Sequence, residues 1–166
     1  MLKAQSICAK GGGMKKILIG IFVLVATAAF AANNFSVSGS IGYASATNNG
    51  LVAGIEATWD CRLYQPEKGR LRPTIDVEFG GGGFQAAALM RYLVPVGKTG
   101  LGLGGGVGLR YDQGVQAYFR GDLMYRLDRY LGAPVVLGAD VGYAYGFGAA
   151  PQELVAHIKA GYCFEF

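Results

Sequence analysis

Hydrophobic and polar residues alternate along almost the whole chain after Asn33. Residues 35–43 read FSVSGSIGY, with the large apolar side chains at odd-numbered positions. A period of two is typical of a β-strand with two different faces, whereas an amphipathic helix repeats its apolar residues every three or four positions. Beyond Asn33 no run of ten or more residues shows the helical spacing. We therefore expect an all-β protein.

Clusters of turn-forming residues, rich in Gly, Asn and Asp, divide this region into eight segments. The predicted strands cover residues 35–46, 51–64, 71–79, 84–96, 101–111, 115–127, 134–147 and 153–166. Most of them exceed the roughly five or six residues typical of soluble sheets and have the length of a tilted membrane strand. The pattern predicts an eight-stranded antiparallel up-and-down transmembrane β-barrel with short loops on both sides.

The fifth and sixth strands also suggest a register. If residues 112–114 form a three-residue loop with Gly114 in the left-handed conformation, Tyr111 pairs with Val115. Four inward glycines then lie opposite four larger residues. The predicted pairs are Gly108 with Tyr118, Gly106 with Arg120, Gly104 with Asp122, and Gly102 with Met124. Because Pro95 cannot donate to a ladder, we expect a bulge or the end of the fourth strand there.

Alternation alone leaves a soluble lipocalin-like barrel as an alternative, because it does not say which face is outside. One face carries Ile, Val, Leu and aromatic residues, and the other mixes charges with Gly, Ser and Ala. Glycine weakens a water-facing strand, but inside a narrow barrel it makes room for opposite charges to pair. We therefore place the polar face inside. The predicted interior network comprises Glu56, Asp76, Glu78, Arg91, Arg110, Arg120, Asp122, Asp140, His157 and Lys159.

Composition and charge exclude several other classes of protein. The 166 residues are 52% hydrophobic and only 16% charged, which excludes a disordered chain or a coiled coil, and the 28 glycines have no collagen-like period. The formal net charge of +4 comes from four lysines before residue 32, so residues 32–166 carry 11 Lys plus Arg against 11 Asp plus Glu. A neutral mature chain does not favour binding to nucleic acid.

Residues 14–31 have the three parts of a cleaved secretory signal. Lys15 and Lys16 precede an apolar run, and Ala29 and Ala31 occupy the −3 and −1 positions of a cleavage site. The apolar run, about 16 residues, is shorter than the roughly 20 that a membrane-spanning helix needs. We expect Met14 to be the true start, residues 1–13 to be a mis-assigned upstream extension, and residues 32–166 to form the barrel.

Three features suggest chemistry, and each has a simpler interpretation. His157, the single histidine, points inward by parity; an internal polar network is favoured over a general base, which needs a paired nucleophile, and over a metal ligand. The glycines at 100, 102 and 105 resemble a dinucleotide fingerprint, but no helix follows them, so we predict no cofactor. Cys61 and Cys163 lie on strands separated by the first strand, about 9 to 10 Å apart, so we predict free thiols.

The chain ends Tyr162-Cys163-Phe164-Glu165-Phe166, with aromatic residues at alternate positions. Here residues 33–166 resemble the small OmpA-like and OmpX-like barrels of the bacterial outer membrane. The resemblance implies contact with outer-membrane lipid and makes Tyr162, Phe164 and Phe166 a proposed signal for the barrel-assembly machinery. Aromatic residues near the strand ends would form two interfacial girdles. These are Tyr43, Phe84, Tyr111 and Phe147 at one rim, and Trp59, Tyr92, Tyr125, Tyr162, Phe164 and Phe166 at the other.

The functional expectation is a non-enzymatic outer-membrane barrel with a structural or envelope-organising role. Eight strands leave an interior filled by side chains, so a wide pore is not expected. A lipid-modifying enzyme is the first alternative, and an adhesin or ligand-binding barrel is the second. Short loops argue against adhesion, because such surfaces are built from long external loops. No metal or cofactor is expected, and the oligomeric state stays open.

Overall fold

The computed structural model describes residues 32–45, 50–61, 69–80, 83–147 and 150–165. These residues form eight antiparallel strands, each paired with its sequence neighbours, and the barrel closes where the first strand pairs with the last. The strands are β1 (Ala32–Ala44), β2 (Gly50–Cys61), β3 (Arg70–Gly80), β4 (Gly83–Pro95), β5 (Leu101–Tyr111), β6 (Val115–Arg126), β7 (Val135–Gly146) and β8 (Glu153–Glu165). The predicted fold class and strand order are confirmed.

The strand bounds agree with the prediction to within three residues. The largest difference among described residues is at β1, which begins at Ala32 rather than at residue 35. β4 ends at Pro95, as expected for a residue without a backbone N–H. The predicted strand ends at residues 46, 62–64 and 166 lie outside the described residues. So do residues 1–31, which contain the predicted upstream extension and signal peptide.

The connection between β6 and β7, predicted as a turn, contains a short helix. This single turn, α1 (Asp128–Leu131), ends at Gly132, whose φ of 63° lies in the left-handed region that glycine favours. The Gly132 N–H donates to the Asp128 carbonyl over 3.0 Å. In the part of the chain that the structure describes, no helix is long and apolar enough to cross a membrane.

The β5–β6 hairpin has the predicted register, with Tyr111 paired to Val115 and the four inward glycines opposite their predicted partners. The conformation of its loop differs from the prediction. The left-handed residue is Gln113, with a φ of 49°, whereas Gly114 has a φ of 159°. The Asp112 N–H donates to the Gly114 carbonyl over 3.1 Å. This hydrogen bond spans Gln113 and fixes the conformation of the loop.

Proline at position 73 interrupts the ladder between β2 and β3. The β2–β3 pairing runs through Thr58 and Thr74, then resumes at Cys61 and Leu71, with no pair at Pro73. On its other side Pro73 does pair with Met90 in β4. Because proline has no N–H to donate, the gap falls on one side of β3 and the barrel stays closed.

The outer wall of the barrel is apolar, and the interior is charged. Val107 and Ile158 on the outer face are 58% and 68% exposed, whereas most of the buried polar side chains are charged or carry amides. A soluble lipocalin-like barrel needs the opposite arrangement, with polar side chains outside. The face assignment is therefore that of a transmembrane barrel.

Exposed aromatic side chains gather at the two ends of the barrel. We call the end that carries the β1–β2, β3–β4, β5–β6 and β7–β8 connections the hairpin end, and the other, where β1 begins and β8 ends, the terminal end. At the hairpin end the predicted girdle residues Tyr43, Phe84, Tyr111 and Phe147 are exposed. At the terminal end the ring of Phe35 lies 5.3 Å from that of Trp59 and 6.1 Å from that of Phe164, which links β2, β1 and β8.

The inward and outward faces of β5 can be compared with one substitution at two glycines. A β-carbon on the inward Gly108 would lie 2.7 Å from the Leu89 Cα, but on the outward Gly105 the nearest atom, the Arg120 carbonyl oxygen, is 3.5 Å away. We expect Gly108→Ala to lower the free energy of unfolding by about 1–3 kcal/mol, as overpacking does. Gly105→Ala should change it by less than about 0.5 kcal/mol. Urea titration of both variants in one detergent checks this, and equal losses would contradict the assigned faces.

Candidate functional site

The middle of the barrel holds a group of charged side chains that we call the central cluster. Its members are Glu56, Asp76, Arg91, Arg120, Asp122, Asp140 and Lys159. Arg120, whose side chain is fully buried, lies at its centre. Its Nη1 donates to Asp76 over 2.9 Å, and its Nη2 lies 2.6 Å from Glu56 and 2.9 Å from Asp140. Six of the eight strands contribute a member, so the cluster ties the wall together across the lumen.

Glu56 is the acidic counterpart of Arg120, because three cations converge on its carboxylate. Arg91 Nη1 lies 2.8 Å from Oε1, while Lys159 Nζ and Arg120 Nη2 lie 2.7 and 2.6 Å from Oε2. Arg91 also reaches Asp122 over 2.6 Å, and Lys159 reaches Asp140 over 2.7 Å. Charge-assisted bonds of this length offset the large cost of removing the ions from water.

His157 connects the central cluster to the hairpin end. Its Nδ1 lies 2.9 Å from Asp140, and its Nε2 lies 2.8 Å from Glu78, with the side chain 1% exposed. Arg110 continues the chain of contacts, because its guanidinium lies 3.5 Å from Glu78 and 3.1 Å from Glu153. Arg110 also donates to Gln85 and stacks 5.4 Å above the Tyr118 ring.

All ten side chains of the predicted network lie inside the barrel and belong to one connected set of ion pairs. The sequence analysis missed Arg72, whose Nε donates to Asp60 over 2.5 Å at the terminal end. Arg72 has the same parity as Asp76 and Glu78, so the signal was present, but the adjacent Pro73 interrupts the pattern. Glu153 at the hairpin end shares the parity of His157 and was also left out of the network.

The proposed assembly residues lie at the terminal end of β8. Tyr162 and Phe164 are exposed on the outer face, with their rings 5.0 Å apart. Phe166 lies outside the described residues. Cys61 and Cys163 are separated by β1, where Cys61 pairs with Ala32 and Cys163 pairs with Ser36. The side chain of Cys61 is also outside the described part, so the absence of a disulfide stays a prediction.

The chemistry open to this interior is limited by the described neighbours of its single histidine. A general base needs a free lone pair beside a nucleophile. Nδ1 of His157 is hydrogen-bonded to Asp140, Nε2 lies 2.8 Å from Glu78 without an aligned hydrogen bond, and none of the described contacts of His157 is to a serine. Within the described residues no group of three or more His, Cys, Asp or Glu is placed to hold a metal ion. The arrangement is suited to filling and cross-linking the lumen.

The central position of Arg120 can be tested against a surface arginine. Removing its charge leaves Asp76 without its described ion-pair partner and takes one cation from Glu56 and Asp140, so Arg120→Gln should cost about 3–5 kcal/mol. Arg126→Gln breaks a half-exposed 3.0 Å pair with Asp128 and should cost less than about 1 kcal/mol. Unfolding of both variants in urea, in the same detergent, measures the difference. Similar losses would mean that the cluster does not stabilise the barrel.

Comparison with known proteins gives a fold and no sequence family. No family model matches the chain, and no curated protein matches it. Among solved structures, the N-terminal β-barrel domain of Pseudomonas aeruginosa OprF is 14% identical, with a TM-score of 0.57 over 80% of this chain and 98% of that one. The outer membrane enzyme PagL is 14% identical, with a TM-score of 0.53 over 79% and 99%.

A third similar structure is the Yersinia pestis outer membrane protein Ail in a phospholipid bilayer nanodisc. It is 13% identical, with a TM-score of 0.50 over 78% of this chain and 99% of that one. At such low identity the likeness defines the fold alone. The chain has the fold of the small eight-stranded outer-membrane barrels.

Proposed function

We propose that this chain is an integral protein of the bacterial outer membrane with a structural or envelope-organising role and no wide pore. The observation that carries the proposal is the connected set of ion pairs that crosses the lumen inside an apolar wall. Side chains from opposite strands meet there, as between Arg120 on β6 and Glu56 on β2. A solute could pass only by separating buried charges, which is costly in a low-dielectric interior.

Membrane insertion is supported by the outer face. Large apolar side chains cover the wall between two zones of exposed aromatic residues, which is the pattern of a barrel in contact with lipid. The similar structures include OprF, PagL and Ail, which are proteins of outer membranes or their domains. Export by a signal peptide and insertion by the barrel-assembly machinery remain part of the proposal.

A structural role is preferred to enzymatic activity because of the surroundings of His157. The fold does not choose between the two, since PagL is an enzyme and the other similar structures are not described as enzymes. In this chain Nδ1 of His157 is bonded to Asp140 and Nε2 lies 2.8 Å from Glu78, so its described polar neighbours are carboxylates and not a nucleophile. Two connections at the hairpin end consist only of residues 81–82 and 112–114. Such short loops disfavour adhesion, because adhesive surfaces of barrels are built from long loops.

Contact between the wall and lipid can be tested with one substitution at two depths. Val107 lies near the middle of β5 on the outer face, and Val96 lies in the turn between β4 and β5. Val107→Arg should cost about 2–4 kcal/mol in a bilayer, while Val96→Arg should cost no more than about 1 kcal/mol. Urea titration in phospholipid vesicles measures both. If Val107→Arg is tolerated as well as Val96→Arg, the wall does not face lipid.

The role itself can be tested by deleting the gene and comparing the envelope with that of the complemented strain. We expect the protein to fractionate with outer membranes and the deletion to increase sensitivity to detergent. Because no chemical step is proposed, the acylation pattern of the membrane lipids should not change when measured by mass spectrometry.

Two results would contradict this assignment. A change in lipid acylation that the wild-type gene reverses would favour the lipid-modifying alternative. Recovery of the protein as a soluble periplasmic monomer would exclude membrane integration altogether.

A further inference from the structure

The terminal end of the barrel contains a cavity that the central cluster does not fill. Its volume of about 230 Å³ is more than ten times the roughly 15 Å³ that one water molecule requires. Gly97, Gly100 and Gly102 line it without side chains, which keeps the space open. Its charged lining residues are Asp60, Arg70, Arg72, Lys98 and Arg126.

Among the described residues that line this cavity, positive charge is in excess. One carboxylate, that of Asp60, accepts from two guanidinium groups, with Arg70 at 3.2 Å and Arg72 at 2.5 Å. Arg126 is paired outside the lining with Asp128 at 3.0 Å. Among the described ion pairs of the lining, Arg70 and Arg72 therefore share one carboxylate, which leaves one positive charge in excess. Excess like charge in a partly desolvated site favours the binding of an anion.

Arg72 supplies the second observation, because its buried guanidinium has weak acceptors on the cavity side. The side chain is 4% exposed. Its Nη1 contacts the thioether sulfur of Met124, and its Nη2 is 3.4 Å from the Ser36 hydroxyl. A thioether is a weak acceptor, and 3.4 Å is long for a hydrogen bond. Met124 also lines the cavity, so these donors lie at its wall.

We propose that this cavity binds a phosphate-type oxyanion, either as inorganic phosphate or as the phosphate of a lipid headgroup at the terminal end. Guanidinium groups present planar pairs of donors that match the oxygens of phosphate. Arg70 and Arg72 approach the cavity from one strand, and Lys98 adds a charge from the β4–β5 turn. The proposal is independent of the structural role proposed above, because the barrel would contain this cavity whether its role is structural or enzymatic.

The hairpin end provides a contrast within the same molecule. Its buried cation, Arg110, faces Glu78 and Glu153, and Gln85 links it to Asp112. His157 also lies 2.8 Å from Glu78, but the buried acids Glu78, Asp112 and Glu153 still outnumber the two cations, so no anion site is expected there. Neutralising Arg110 is therefore a control, because it removes one positive charge from the other mouth of the lumen without touching the proposed site.

The experiment uses the full mature chain folded in a maltoside detergent, which contains no phosphate. Inorganic phosphate is titrated against chloride at equal ionic strength, while the melting temperature and the ³¹P line width are recorded. Because a ligand that binds only the folded state stabilises it, phosphate should raise the melting temperature and broaden the ³¹P signal. Arg72→Gln should weaken the apparent phosphate affinity about tenfold or more, as loss of a charge-assisted bond does.

A second variant and a second probe distinguish a lipid headgroup from free phosphate and allow the test to be completed if one variant does not fold. Should Arg72→Gln fail to fold, Arg70→Gln replaces it, because that side chain is 36% exposed. Short-chain phosphatidylglycerol added to the micelles distinguishes a lipid headgroup from free phosphate. The site is supported if either probe gives a response and if Arg72→Gln or Arg70→Gln reduces that response. No difference between both probes and chloride would overturn it. An equal loss of response in Arg110→Gln would overturn it too, because the effect would then be one of overall charge.

Discussion

Ion pairing across the lumen is the interaction on which the rest of this barrel depends. Eight strands enclose just enough space for side chains, so an inward charge must find its partner inside the wall. Glu56 and Arg120 each meet three or more opposite charges, contributed by strands on different sides of the barrel. Closing the sheet brings these groups together, and their pairing in turn stabilises the closed sheet.

Glycine makes this pairing possible. Gly106 on β5 lies directly between Arg91 on β4 and Arg120 on β6 in the ladder. A β-carbon there would lie 2.9 Å from the Met90 carbonyl oxygen, against the backbone of the neighbouring strand. Two long guanidinium side chains therefore extend into the lumen on either side of a position that has no side chain. The glycines of β5 thus provide the space that the arginine side chains of β4 and β6 occupy.

Among the described residues, the two ends of the interior differ in charge. At the hairpin end the buried groups around Arg110 are mainly acidic, with Glu78 and Glu153 against the one guanidinium. At the terminal end Arg70 and Arg72 share the single carboxylate of Asp60. With such short connections at the hairpin end, the surfaces left for recognition are the lumen mouths and the outer wall.

By itself the sequence determined the strands, their faces and one hairpin register, because alternation and turn chemistry are local properties of the backbone. The inward parity of the ten network residues follows from the same rule. The sequence could not determine which charges form pairs. Lys159 and Glu56 are 103 residues apart and come into contact only because β1 joins β2 to β8. The inward parity of Arg72 could have been read from the sequence, but its contacts with Asp60 and Met124 and the left-handed conformation of Gln113 depend on how neighbouring segments pack. Barrel closure and the stagger of its strands set those contacts, and they are properties of the tertiary structure alone.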